Sequence, residues 1–178
     1  MRQITSILIA LIASIALQSN LFAQNFGQPL GVKVGPFDVD KTSTEKEQLA
    51  FFSSIGGYTI DRRFEEGGDG YVTYTQKNGE KKNFFYFSQH GEIGRFEVTD
   101  PEIKVWFFGK TLYIGLGIRT VKRWAREMAN TEVIDLGQDG IHKYYELRNK
   151  HVTDSLSKFY ITTMYGLVCE FYYETILN

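Results

Sequence analysis

The chain of 178 residues has one cysteine, Cys169, so no disulfide can form within it and its stability must come from buried apolar surface. It has no basic excess, with 20 Lys and Arg against 21 Asp and Glu. That balance argues against nucleic acid as a partner, because neutralising phosphates needs a clear surplus of positive charge on at least one face. It lacks an apolar run long enough to cross a bilayer as a helix: the stretch from Ile4 to Leu17 covers about 14 residues, against roughly 20 for a span. No cysteine directly follows that stretch, which argues against a lipid-anchored lipoprotein. No phosphate-cradling loop is present either. GLGI at 115–118 precedes a helical pattern but lacks the remaining glycine and the lysine of such loops. His142 and His151 have no third ligand at a recognisable spacing, so neither a metal nor another cofactor is expected.

What is present begins with an export signal. MRQITSILIALIASIALQSNLFA carries one basic residue at Arg2, then the apolar stretch, then a polar break at Gln18, Ser19 and Asn20. This is the three-part layout of a secretory signal peptide over residues 1–23, with cleavage after Ala23. The reading implies a periplasmic or extracellular protein without a stable membrane span. Its mature part, from Gln24, carries 19 basic and 21 acidic side chains, a net charge of −2. The 14 Phe, 11 Tyr and 2 Trp of the chain supply ample apolar material for a core.

TSTEKEQLAFFSSIGG predicts a helix. Thr44 followed by Glu47 fits a capping box, Leu49, Phe51, Phe52 and Ile55 share one arc, and Gly56 and Gly57 end it. Strand patterns follow in YTIDRRF, GYVTYTQ, KNFFYFS and EIGRFEV, the middle two joined by a tight turn at Asn78-Gly79. A hairpin over IKVWFFGKTLYIGL leads to a second helix, IRTVKRWAREMAN. Ile118, Val121, Ala125 and Met128 line one side of it, and Arg119, Lys122, Arg123 and Arg126 form a basic face on the other. EVIDL, IHKYYELR, SKFYITTM and LVCEFYY then read as four more strands.

FFYFSQHGEIGRFEV at 84–98 and FYITTMYGLVCEFYY at 159–173 match at an offset of 75, with Phe84 on Phe159, Gly91 on Gly166 and Phe96 on Phe171. YTID at 58–61 and EVID at 132–135 follow their helices at an offset of 74. The expectation is an α+β fold of two tandem helix-plus-antiparallel-meander units, residues 24–99 and 100–178, packed as one globular body.

That element order, with the strand–turn motifs FYFSQHGEIGRF and FYITTMYGLVCEF, resembles the β-lactamase inhibitor protein family and the single-unit outer-membrane assembly lipoproteins of the BamE kind. The resemblance implies a saddle-like sheet with helices on one face and protein recognition on the other. This chain departs from it in having neither the inhibitors' disulfides nor the lipoproteins' lipidated cysteine.

Strand alternation assigns faces. Val72, Tyr74, Phe84, Tyr86, Phe96 and Val98 are expected toward the helices. Tyr71, Thr73, Phe85, Phe87, Arg95 and Glu97 are expected on the open side, with His142, Tyr144, Glu146, Tyr160, Glu170 and Tyr172 beside them. From these, Tyr71, Phe85, Phe87, Arg95, His142, Tyr144, Tyr160 and Tyr172 are the candidate partner contacts, because tyrosine and arginine are enriched at the centres of protein interfaces. A bulge near Gly94 would change the assignment.

No catalytic constellation stands out. Cys169 alternates with Leu167, Phe171 and Tyr173, which reads as an inert thiol on the apolar side of a strand rather than a nucleophile served by His90, His142 or His151. DLGQDGIHKYYE offers Asp135, Asp139 and Glu146 at calcium-loop spacing, but Gly137 replaces a required oxygen ligand and the stretch reads as a turn. The sequence therefore points to a non-enzymatic binding or inhibitor-like protein, acting on another protein in the envelope or outside the cell. Immunity proteins and envelope assembly factors belong to the same class. The alternatives are a secreted hydrolase using strand carboxylates among Glu97, Glu146 and Glu170, and a cystatin-like cone around a small-ligand pocket.

Overall fold

The computed structural model describes residues 31–64, 70–150 and 157–175. The expected signal peptide, the acidic stretch EEGGD at 65–69 and His151 lie outside the described residues. Within them the chain is a mixed α+β fold dominated by antiparallel sheet. Its elements run β1 (Val32–Val34), β2 (Phe37–Asp38), α1 (Glu45–Ser54), β3 (Thr59–Phe64), β4 (Gly70–Lys77), β5 (Glu80–Ser88) and β6 (Ile93–Val98). Then come β7 (Val105–Phe107), β8 (Lys110–Leu112), α2 (Ile118–Glu127), β9 (Thr131–Asp139), β10 (His142–Asn149), β11 (Ser157–Met164) and β12 (Leu167–Thr175). Two short strands, a helix and four longer strands thus follow one another twice.

The longer strands make one eight-stranded sheet in the order β3-β4-β5-β6-β12-β11-β10-β9, closed in the middle by antiparallel pairing of β6 with β12. The short strands make a second sheet, β2-β1-β7-β8. Its β7–β8 hairpin is the one expected over IKVWFFGKTLYIGL, whereas β1 and β2 were not expected. Val32-Lys33-Val34 sits between Gly31 and Gly35 and is too short for a strand period to emerge from a glycine-rich stretch.

Both helices form where predicted, α1 at its capping box and α2 from its apolar periodicity without a side-chain cap. At α1 the Thr44 hydroxyl accepts from the Glu47 amide while the Glu47 carboxylate accepts from the Thr44 amide at 2.7 Å, so two orphan donors of the first turn are satisfied. Gln48 and Phe52 are its buried residues. α2 buries Ile118, Val121 and Ala125 and turns its basic side outward. The turn at Asn78 and Gly79 adopts positive φ at both residues, as a two-residue hairpin demands.

One face of the large sheet carries the core. Phe52 of α1 lies 4.9 Å from Phe85, Phe37 of β2 lies 5.7 Å from Phe87, and Phe107 of β7 stacks on Phe159 at 5.4 Å. The helices and the small sheet therefore cover the same side. Phe96 reaches both Phe159 and Tyr173 across the central seam, so the core is continuous from one half of the chain to the other.

The face assignment of β4 and β5 is corrected by this packing. Phe85 and Phe87 are fully buried, as is Thr73, while Tyr74, Phe84 and Tyr86 stand on the opposite side, half-exposed. Register gives the reason: Phe85 pairs with Phe96 and Phe84 with Glu97, and the ladder shifts between Tyr86 and Phe87, where Gly94 is the unpaired residue. That bulge breaks alternation in β6, where Ile93 and Phe96 are both buried on the helix side. Tyr71 pairs with Phe87 on the helix side, where the Arg62 guanidinium covers its ring at 4.5 Å. Phe85, Phe87 and Tyr71 are thus removed from the open face.

Candidate functional site

The open face is organised by register. One row of paired residues crosses all eight strands: Asp61, Tyr74, Phe84, Glu97, Tyr172, Tyr160, Glu146 and Ile134. With about 4.8 Å between strands, the row extends over about 34 Å. Four of its members are aromatic, and their ring contacts are with one another: Tyr74 meets Phe84 edge-on at 5.2 Å, and Tyr160 lies 5.8 Å from Tyr172. The Arg95 guanidinium sits 4.5 Å above the Phe84 ring, and the Lys81 ammonium 4.1 Å from that of Tyr74. A shallow hollow of about 350 Å³ opens between Tyr74, Phe84, Arg95, Glu97 and Tyr172.

Of the expected contact residues, Arg95, His142, Tyr144, Tyr160 and Tyr172 lie on this face. Tyr74, Phe84 and Tyr86 join them. Phe84 and Tyr86 were unexpected because FFYF at 84–87 is aromatic on both sides and gives alternation no phase, which only the pairing with β6 sets, and Tyr74 follows Phe84 as its cross-strand partner.

The charges on the face are arranged rather than scattered. Thr162 donates to the Glu170 carboxylate at 2.7 Å, and the Tyr172 hydroxyl donates to Glu174 at 2.8 Å. Burial, helped by the negative charge of Glu170 and opposed by Arg95, pushes the Glu97 carboxyl above its ordinary range. Burial likewise raises the phenols of Tyr160 and Tyr172, so both remain neutral hydrogen-bond donors around neutrality. Glu146 is separated from Glu97 by Tyr160 and Tyr172, three strand steps or about 14 Å, beyond the spacing of a working carboxylate pair. Glu170, on the strand adjoining Glu97, is the one expected carboxylate brought beside it.

No family model, curated protein or solved structure matches this chain. Cys169 is half-buried at a break in the β11–β12 ladder, its thiol donates to the Thr162 carbonyl, and burial together with the Glu170 charge holds it protonated. It is not the fully interior thiol expected from alternation, because the ladder skips it between Thr162 and Thr163. Among the described residues no three His, Cys, Asp or Glu side chains converge as metal ligands. No helix among them is long and apolar enough to cross a membrane. The basic residues of α2 face outward on the opposite side of the molecule from the tyrosine row, with Arg119, Arg123 and Arg126 exposed and Lys122 held over the Tyr145 ring at 4.5 Å.

Proposed function

We propose that this protein is an exported, non-enzymatic binding or inhibitor-like module that grips another protein with the open face of its large sheet. The row of aromatic and charged residues spanning all eight strands carries the reading. Rigid aromatic rings supply contact area at low entropic cost, and neutral phenols, Arg95 and the carboxylates supply direction. A face of this breadth with only a shallow hollow suits a protein surface better than a small molecule.

The same reading includes descent from a doubled helix-and-meander unit, with the sheet curved like a saddle. Two details support the doubling beyond element order. The unpaired bulge residues are Gly94 in β6 and Cys169 in β12, which are 75 positions apart. The backbone bond from Ser43 to Gly91, at the start of α1, has its counterpart from Ile118 to Gly166 at the start of α2, again 75 apart at both ends. Such irregularities are not demanded by composition. Aligned on its bulge, Phe84 corresponds to Tyr160 and not to Phe159, because the turn of the second half is one residue shorter.

The experiment is affinity capture from envelope and culture supernatant with the chain from Gln24, followed by reconstitution of the captured protein in purified form. A Tyr160→Ala, Tyr172→Ala variant is expected to weaken the purified complex at least tenfold, the cost of two interface hot spots. Equal affinity for both forms removes the sheet face from the proposal. The hydrolase alternative draws support from one observation, the neighbouring Glu97 and Glu170 with the former's raised pKa. Turnover of a glycoside that is abolished by Glu97→Gln and by Glu170→Gln would replace the binding reading. The cystatin-like cone has less support: a hollow of about 800 Å³ lies not within the sheet but at the surface beside Phe51 and Trp106.

A further inference from the structure

One end of the molecule differs in kind from the other. The β10 start pairs with the β11 end, His142 against Met164, so the β9–β10 and β11–β12 turns lie side by side at one end of the sheet. Five of the seven exposed large apolar side chains among the described residues gather there: Tyr165 is 80% exposed, Leu167 52%, and Ile141, Leu136 and Met164 accompany them, while Phe64, 58% exposed, stands at the other end beside Tyr71. Exposed apolar side chains clustered in this number in one place are unusual and mark a contact surface. α2 begins at the same end, because the Ile118 amide donates to the Gly166 carbonyl at 3.0 Å and Gly117 bridges to Leu167. Arg119 and Arg123 follow directly, exposed, and neither enters an ion pair among the described residues. Lys143 is paired with Asp135, and Asp139 is the acid exposed at the tip.

The opposite end serves as an internal control. Its turn, Ser88 to Glu92, meets the start of α1 through the Ser43–Gly91 bond, yet it reads SQHGE, and α1 opens with Glu45 and Glu47. The fold therefore does not require an apolar turn or a basic helix at this place. We propose that the end formed by Tyr165, Leu167 and Ile141, with Arg119 and Arg123 behind it, docks on an anionic lipid bilayer. The apolar tips enter the headgroup region while the arginines meet the lipid phosphates. Charge complementarity selects this occupant over an apolar protein groove, which would leave two unpaired arginines at its rim. The inference is independent of the open sheet face.

The test is co-sedimentation of the chain from Gln24, which retains every described element, with vesicles of phosphatidylcholine alone or mixed with phosphatidylglycerol. Binding is expected to the anionic vesicles only and to fall as salt is raised. Tyr165→Ser with Leu167→Ser, and separately Arg119→Glu with Arg123→Glu, are each expected to weaken it about tenfold or more. The Tyr160→Ala, Tyr172→Ala variant is expected to bind vesicles as the parent does. Ile141→Ser, checked by circular dichroism, replaces the turn variant should that one fail to fold. The proposal is overturned if the parent stays in the supernatant, if neutral vesicles bind it equally, or if either altered end binds undiminished. It is equally overturned if sedimentation velocity shows a dimer that the Tyr165 and Leu167 changes dissolve, which would make the end an interface between copies.

Discussion

Two glycines that occupy the same place in their turns differ in what surrounds them, and the difference is measurable. Gly91 has φ +84°, and a Cβ there would lie 1.9 Å from the Ser43 carbonyl oxygen; Gly166 has φ +80° with open space around it. Gly91→Ala must strain the backbone and break the contact with α1, a loss of about 3 kcal/mol in urea unfolding. Gly166→Ala bears only the left-handed backbone cost, about 1 kcal/mol. Equal losses would show that the Ser43 contact does not hold the turn. Glu97 provides the pH-dependent counterpart. Its folded pKa lies above the unfolded value, so the folded state binds more protons in the window above pH 4.5, and stability falls as pH rises through it. Glu97→Gln is therefore expected to raise the melting temperature at pH 7 and to leave it unchanged near pH 3. A gain that persists at pH 3 would point to packing instead of charge.

At the scale of elements, helix α1 is marked by a local signal whose strength can be isolated. Thr44→Ala removes the hydroxyl acceptor while leaving Glu47 in place, and a loss of about 1 kcal/mol is expected, with less if Thr44→Ser is used instead. Local signals of this kind made the helices and the longer strands legible. Capping residues, an Asn-Gly turn and tyrosines alternating with charges in β10 and β12 each act within a few residues. What stayed hidden depends on pairing between distant segments. The short strand β1 exists because it pairs with β7, Val32 with Phe107 and Val34 with Val105, across more than seventy residues. The phase of β5 likewise depends on its pairing with β6, since a run of aromatics fits either face. The candidate site was legible where it alternated, at Tyr144, Tyr160 and Tyr172, and inverted where it did not, at Phe84 to Phe87.

At the scale of the molecule, the two halves of the chain cannot be separated without opening two seams. β6 joins β12 through four residue pairs, from Val98 with Phe171 to Arg95 with Glu174, and β1 joins β7 through three. Phe96 stacks on Tyr173 at 5.4 Å beneath the first seam, so the same aromatic core closes both halves. Splitting them would leave β1, β6, β7 and β12 as bare edges and expose fully buried rings to water, which favours unfolding or aggregation over a stable half. The chain should therefore unfold as one cooperative unit. Both tryptophans, Trp106 on β7 and Trp124 on α2, belong to the second half, whereas far-ultraviolet circular dichroism reports strands from both. Denaturant curves followed by tryptophan fluorescence and by circular dichroism are expected to share one midpoint. Fluorescence that changed at a different denaturant concentration would mean that the second half melts by itself. The seams would then be contacts between two independently stable bodies, and a grip spanning all eight strands would lose its rigid support.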